Sequence, residues 1–237
     1  MVEWKDQGII VGMRPFGEKD GILYVLTHYH GCYGGIVKNI KSRHNQSLQV
    51  GTLAACHWKA RLSEHIGTWT LEAEKSYLAD ILGDSRRLLA LTVAAQLTIQ
   101  LLPERHPYTA FFEVWRHFLV TLSAQEDWRR EYVSFEYNLL QELGFGLKLT
   151  SCAVTNTAEN LKYVSPKTGC AVTENVGMPY HEKLLQLPLF FTQDTEKVER
   201  DDIVKGLTLT GYFLIKHFPE PKYANIFQTR QRFIDTL

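Results

Sequence analysis

The chain has 237 residues, 45% of them hydrophobic and 22% charged, and a formal net charge of +0. That length and apolar content can bury a sizeable core, as one large domain or two small ones. The charge balance excludes a global field that would draw the whole molecule to nucleic acid or membrane, so any electrostatic function must come from local segregation. The opening Met1-Val-Glu-Trp-Lys-Asp is too polar for a signal peptide, and no apolar run approaches the ~20 residues of a membrane-spanning helix. Four cysteines without a secretion signal point to reduced thiols in a cytoplasmic protein, and against a Cys152–Cys170 disulfide.

Residues 1 to about 75 read as β structure. Gly8–Met13, Ile22–Thr27, Gly35–Val37, Val50–Ala60 and Thr68–Leu71 are short runs of β-branched, aromatic and aliphatic residues, several of them separated by glycine-bearing breaks. Five short strands in so small a span predict a closed or nearly closed barrel, with its topology left open.

The period then changes. Leu82, Leu89, Val93, Leu97 and Leu101 carry helical spacing, with Asp84 or Ser85 as the cap and Pro103 as the stop. Tyr108, Phe111, Phe112, Trp115, Phe118, Leu119 and Leu122 form the stripe of a buried helix face. Trp128, Tyr132, Phe135, Leu139, Leu140 and Leu143 repeat it, and Gly144 ends it. Further on, Asp201-Asp202 is expected to cap a helix through Ile203, Leu207, Leu214 and Phe218. Pro219 and Pro221 break that helix, and a last amphipathic turn or two carries Ile226, Phe227 and Phe233.

The most informative charge feature is an absence. No acidic residue lies between Asp20 and Glu64, while Lys38, Lys41, Arg43, Lys59 and Arg61 all do, with Tyr24, Tyr29, Tyr33 and Trp58 interleaved. Cations beside aromatic platforms are what single-stranded nucleic acid requires: the cations neutralise phosphates and the rings stack on bases. A solvated barrel face with buried aromatics is the competing reading. His28-Tyr-His30-Gly-Cys32 would set three metal ligands on one strand face, but Gly31, Gly34 and Gly35 favour a hairpin turn there. No phosphate-cradling glycine loop, Gly-x-Ser-x-Gly, His-Glu-x-x-His or paired Cys-x-x-Cys occurs, so the chain is read as no enzyme.

Four stretches together resemble the RecO family of bacterial recombination mediators: "QGIIVGMRPFGEKDGILYVLTHYHG", "GGIVKNIKSR", "FEYNLLQELGFGLKLTSC" and "YVSPKTG". The resemblance implies an α+β chain of several domains. Residues 1–78 would be a five-stranded oligonucleotide/oligosaccharide-binding (OB-fold) barrel that binds nucleic acid. Residues 79–237 would be an all-α domain with an inserted hairpin loop at about 149–175. It further implies recombinational DNA repair: binding single- and double-stranded DNA, annealing complementary strands, and helping RecA load onto strands coated by single-stranded DNA-binding protein. The implied partners are RecR, RecF as a further candidate, and the acidic, Phe-ended tail of single-stranded DNA-binding protein, in a nucleoid-associated cytoplasmic setting without a cofactor.

Carried onto this sequence, the basic-loop match falls on Lys38, Lys41 and Arg43, with Arg14 in the matching first strand; Lys59 and Arg61 are added from the charge pattern. For the acidic tail the candidates are Arg129, Arg130 and Arg116. The alternative is an adaptor that mainly binds RecR and single-stranded DNA-binding protein and touches DNA weakly; an unrecognised enzyme is the third reading.

Many family members carry a four-cysteine zinc site at the position of Cys152 and Cys170. Here Thr155 and Thr173 stand three residues after each cysteine, and threonine hydroxyls are poor zinc ligands. The expectation is a zinc-less hairpin, with Ser165-Pro166-Lys167-Thr168-Gly169 as its turn.

Overall fold

A computed structural model describes residues 1–124, 128–193 and 197–237. The chain forms two compact units, Met1–Glu126 with Thr236–Leu237, and Asp127–Asp235.

The first unit opens with β1 (Val2–Phe16), β2 (Asp20–Thr27), β3 (Gly31–Val37), β4 (Thr52–Ala60) and β5 (Gly67–Ser76). Hydrogen bonding runs β1-β2-β3-β5-β4 and back to β1, a closed barrel. The long β1 serves two neighbours. Val2–Ile9 pairs with β4 and Gly8–Phe16 with β2, and a bulge between Ile10 and Gly12 bends the strand from one partner to the other. Alternation turns Leu23, Val25, Ala54, Cys56, Trp58, Trp69 and Leu71 into the barrel. The predicted runs Gly8–Met13 and Thr68–Leu71 are segments of longer strands, whose outer stretches carry more polar residues.

Closure rests on a short parallel contact, Gly35↔Gly67 and Ile36↔Thr68. A Cβ on Gly35 would lie 2.5 Å from the Trp69 ring, and one on Gly67 2.2 Å from the Trp58 ring. The two indole N–H groups donate to the carbonyls of Leu23 and Gly34, each at 3.2 Å. Glycine is thus required on both strands by the tryptophans that fill the barrel.

Three helices follow: α1 (Leu78–Ile81), α2 (Ser85–Leu101) and α3 (Thr109–Ala124). Asp84 caps α2, its Oδ1 accepting from the N–H groups of Arg86 at 2.9 Å and Arg87 at 3.2 Å. Leu82 departs from the expected stripe: it ends α1, outside α2, and is 63% exposed.

The second unit begins with α4 (Trp128–Glu142), which stops before Gly144 at φ +81°. Then come β6 (Leu161–Val164), β7 (Ala171–Thr173), α5 (Glu174–Gly177) and β8 (Leu185–Gln186), the strands ordered β7-β6-β8, followed by α6 (Arg200–His217) and α7 (Ala224–Asp235). Asp201 and Asp202 are not the cap expected of them. They lie within the first turn of α6, where both face Lys205 Nζ, at 2.6 and 3.0 Å, and where acids offset the helix dipole.

One buried ion pair ties α4, α6 and α7 together. Glu136 is fully buried and Arg230 is 5% exposed. Glu136 accepts from Arg230 Nε at 2.7 Å, Arg230 Nη2 at 2.8 Å, Tyr132 Oη at 2.8 Å and the Thr210 hydroxyl. Arg230 Nη2 also donates to the Leu207 carbonyl at 2.6 Å. Removing one partner strands a buried charge. Arg230→Met is therefore expected to lower stability by about 3–5 kcal/mol in denaturant unfolding, and the double variant Glu136→Leu/Arg230→Met to recover much of that loss. A single-variant loss below about 1 kcal/mol would contradict the network's role.

Candidate nucleic-acid interface

Strand register decides where the predicted cations lie. Phe16 pairs with Asp20 and Gly21 with Val37, so the Gly17–Lys19 turn and the connection from Lys38 to Gly51 share one end of the barrel. Arg14, Lys38, Lys41 and Arg43 belong to that end. Val2 pairs with Ala60, so Lys59 and Arg61 belong to the opposite end, with the His28–His30 turn. Along β4 the two groups are separated by on the order of 25–30 Å, at about 3.3 Å per residue. The structure therefore brings four of the six together and sets two apart.

Their electrostatic states differ as well. Arg14, Lys41, Arg43 and Arg61 are exposed, and among the described residues none has a carboxylate within ion-pair distance. Lys38 Nζ lies 2.7 Å from Asp20, whose carboxyl is held below its usual range first by that ammonium and then by the Asn39 N–H. Lys59 Nζ faces Glu3 at 3.7 Å. Both pairs are solvent-exposed, where an ion pair is weak and a phosphate can compete for the ammonium.

The aromatic residues are mostly not platforms. Trp58 is 1% exposed in the barrel core, and Tyr33 packs on it with ring centroids 5.1 Å apart. Tyr29 is 63% exposed and Tyr24 half-buried. Outward side chains of β2 and β3 are also covered: Ile22, Leu26 and Cys32 are each 2% exposed or less. The open cationic surface is thus at the barrel ends, not across the β2–β3 face.

At the Arg61 end, sequence reasoning missed Arg105. This non-glycine residue holds φ at +63°, and its guanidinium donates to the carbonyls of Ser63, Glu64 and His65, the last two at 3.2 Å. It thereby fixes the β4–β5 loop that begins at Arg61. A lone arginine between two prolines gives no sequence signal for such a role.

His28 and His30 form a turn rather than a strand face. His30 Nδ1 is 2.9 Å from Asp6 Oδ2, and Cys32 is buried, with burial foremost pushing its thiol up to about 12. Among the described residues no three His, Cys, Asp or Glu side chains converge to hold a metal ion.

In the second unit, Arg129 Cζ lies 4.8 Å from the Trp128 ring centroid and Arg130 Cζ 5.9 Å from that of Phe190. Phe190 contacts Phe191, which contacts Tyr137; the last two line a cleft of about 360 Å³ with Leu149 and Leu161. Arg116 belongs to the first unit and is paired with Glu113 at 2.6 Å.

The cysteine loop is a hairpin, β6 to β7, turning through Ser165–Gly169. Gly169 sits at φ +69° and its N–H donates to the Ser165 carbonyl at 2.8 Å. All four cysteines are free. Cys152 is buried, yet its Sγ meets the Thr173 N–H at 3.4 Å and the Thr173 hydroxyl at 3.7 Å. Burial opposes ionisation, but the Thr155 hydroxyl and the N–H groups of Thr155, Val154 and Thr173 outweigh it and bring the thiol down to about 6. A depressed pKa contributes stability that is complete above the unfolded thiol value and is lost as pH falls through about 6. Thiolate absorbance in a Cys170→Ser variant should titrate with a midpoint near 6; a midpoint of 8 or above would contradict this hydrogen bonding.

The sequence pattern described as Recombination protein O N terminal matches residues 1–77, and that described as Recombination protein O C terminal matches residues 82–224. The DNA repair protein RecO of Bartonella bacilliformis is 43% identical over 93% of this chain and 91% of its own length. That of Rhodospirillum centenum is 40% identical over 99% and 94%, and that of Rhodopseudomonas palustris 37% over 100% and 96%. Two family patterns covering most of the sequence, and relatives at this identity over nearly their full length, place the chain in the RecO family.

Proposed function

We propose that this chain is a DNA repair mediator that binds single- and double-stranded DNA, anneals complementary strands and helps load RecA onto strands coated by single-stranded DNA-binding protein. The observation that carries the reading is the barrel end where Arg14, Lys41 and Arg43 stand exposed, with no carboxylate in ion-pair distance among the described residues, and where Lys41 and Arg43 lie in a sequence run free of acids. Cations so placed neutralise phosphates and release counterions. Two strands held by such a surface repel each other less, so complementary bases meet sooner. The process is binding and handover, with no covalent step.

Partner contacts follow the same chemistry. The cleft beside Phe191 and Tyr137, with Arg130 over Phe190, suits the acidic, Phe-ended tail of single-stranded DNA-binding protein: an apolar seat with a cation close by. RecR, with RecF as a further candidate, would act beside it. A second reading, an adaptor with weak DNA affinity, draws support from the carboxylates that face Lys38 and Lys59 and from the burial of Trp58.

Strand annealing measured on bare and on coated oligonucleotides separates these. The wild-type chain should accelerate both. Lys41→Glu/Arg43→Glu should lose the acceleration on bare strands, while Arg130→Glu should keep it there and lose it on coated strands. Annealing of bare strands that ignores the charge reversal would remove the barrel end as the DNA site and leave the adaptor reading.

A further inference from the structure

The β1–β2 hairpin and the connection after β3 form a cleft of about 320 Å³ at one end of the barrel, room for one large side chain. Met13, Pro15 and Ile40 give it an apolar lining, and Arg14 and Lys41 stand on its wall. Met13 is 43% exposed and Phe16, on the same hairpin, 46%, whereas Ile22, Leu26 and Cys32 on the outer face of β2 and β3 are covered. Hydrogen bonds tie the wall down. Ile40 N–H donates to the Lys19 carbonyl at 2.9 Å, and Asn39 N–H to Asp20 Oδ1 at 3.0 Å. Asn45 Nδ2 donates to the carbonyls of Lys38 and Asn39 at 3.1 and 3.2 Å. Ile40 packs on Gly21, where a Cβ would come 3.2 Å from its side chain. A cleft formed in advance loses little binding free energy to ordering. The segments that build it, residues 13–20 and 38–49, carry five cations, Arg14, Lys19, Lys38, Lys41 and Arg43, against two carboxylates, Glu18 and Asp20. Asp20 is already engaged by Lys38, so the surplus is positive.

A phosphate backbone would use these cations and leave the lining empty, and that lining holds no aromatic ring on which a base could stack. A neutral apolar compound would use the lining and leave the cations idle. A peptide with one large aliphatic side chain set between carboxylates uses both. We propose that this cleft docks an acidic peptide segment of a partner protein. The aliphatic side chain enters between Met13, Pro15 and Ile40, and the flanking carboxylates meet Arg14 and Lys41. The cleft beside Phe191 is another site, in the second unit. DNA phosphates and the peptide would meet the same cations. Resting in this one respect on the DNA-binding reading above, a docked peptide displaces DNA from this end of the barrel.

The test uses the full-length chain and a short fluorescent peptide of Asp and Glu around a central Leu, amidated so that it lacks a terminal carboxylate. Replacing that Leu by Ser should weaken binding about tenfold, the scale of burying one aliphatic side chain. Met13→Gln removes apolar lining without changing charge, and Gln46→Trp fills the cleft from an exposed position. Each should cost the Leu peptide about tenfold in affinity, leaving the Ser peptide, the thermal midpoint and binding of a single strand of ~12 nucleotides unchanged. Arg14→Glu/Lys41→Glu should abolish peptide binding, Arg130→Glu should keep it, and the single strand should displace the peptide. Equal affinity for the Leu and Ser peptides, Leu-peptide affinity unchanged in both cleft variants, or loss of binding in Arg130→Glu would overturn the docking site. Peptide and strand bound together would overturn the displacement. If wild type binds DNA and no peptide, the docking site alone fails; if it binds the peptide and no DNA, the docking site stands and the DNA reading fails.

Discussion

The barrel closes through two residue pairs, Gly35↔Gly67 and Ile36↔Thr68, and both glycines lack a side chain because a tryptophan ring occupies the space. Trp58 and Trp69 fill the interior, and their N–H groups are met by the carbonyls of Gly34 and Leu23. A side chain at either glycine would push an indole from its place and with it the short parallel contact. The register of all five strands follows from this closure. So does the placing of the cationic loops, because those loops are the strand ends.

Closure also divides the cations. Arg14, Lys38, Lys41 and Arg43 stand at one end, with the 38–51 connection; Lys59 and Arg61 stand at the other, beside the loop that Arg105 holds. A strand that touched both would have to run the length of β4. The covered β2–β3 face and the buried Trp58 leave little room for stacking across the sheet. The helical unit rests on a different device, the Glu136–Arg230 pair, which fixes α4, α6 and α7.

Much of this was legible in the sequence. The five strand centres, the Asp84 cap, the Gly144 stop and the 165–169 turn follow from local pattern and turn chemistry. What was misread was also local: alternation along β4 places Trp58 with Ala54, Cys56 and Ala60, opposite His57 and Lys59, so the ring could never share a face with those cations. The Lys38–Asp20 pair was not legible, because it depends on hairpin register between residues far apart in sequence. Glu136 and Arg230 left a trace in hindsight: each is a lone charge on an apolar helix stripe, Tyr132–Glu136 and Ile226–Arg230–Phe233. Partner choice required the fold.

The central claim, that DNA is held at the barrel end by uncompensated cations, is tested most directly by the salt dependence of single-strand affinity. Log affinity should fall linearly with log salt, at about −0.7 per phosphate contact, and Lys41→Glu/Arg43→Glu should flatten that slope by more than one unit. A slope unaltered by the charge reversal, or no binding at low salt, would contradict it.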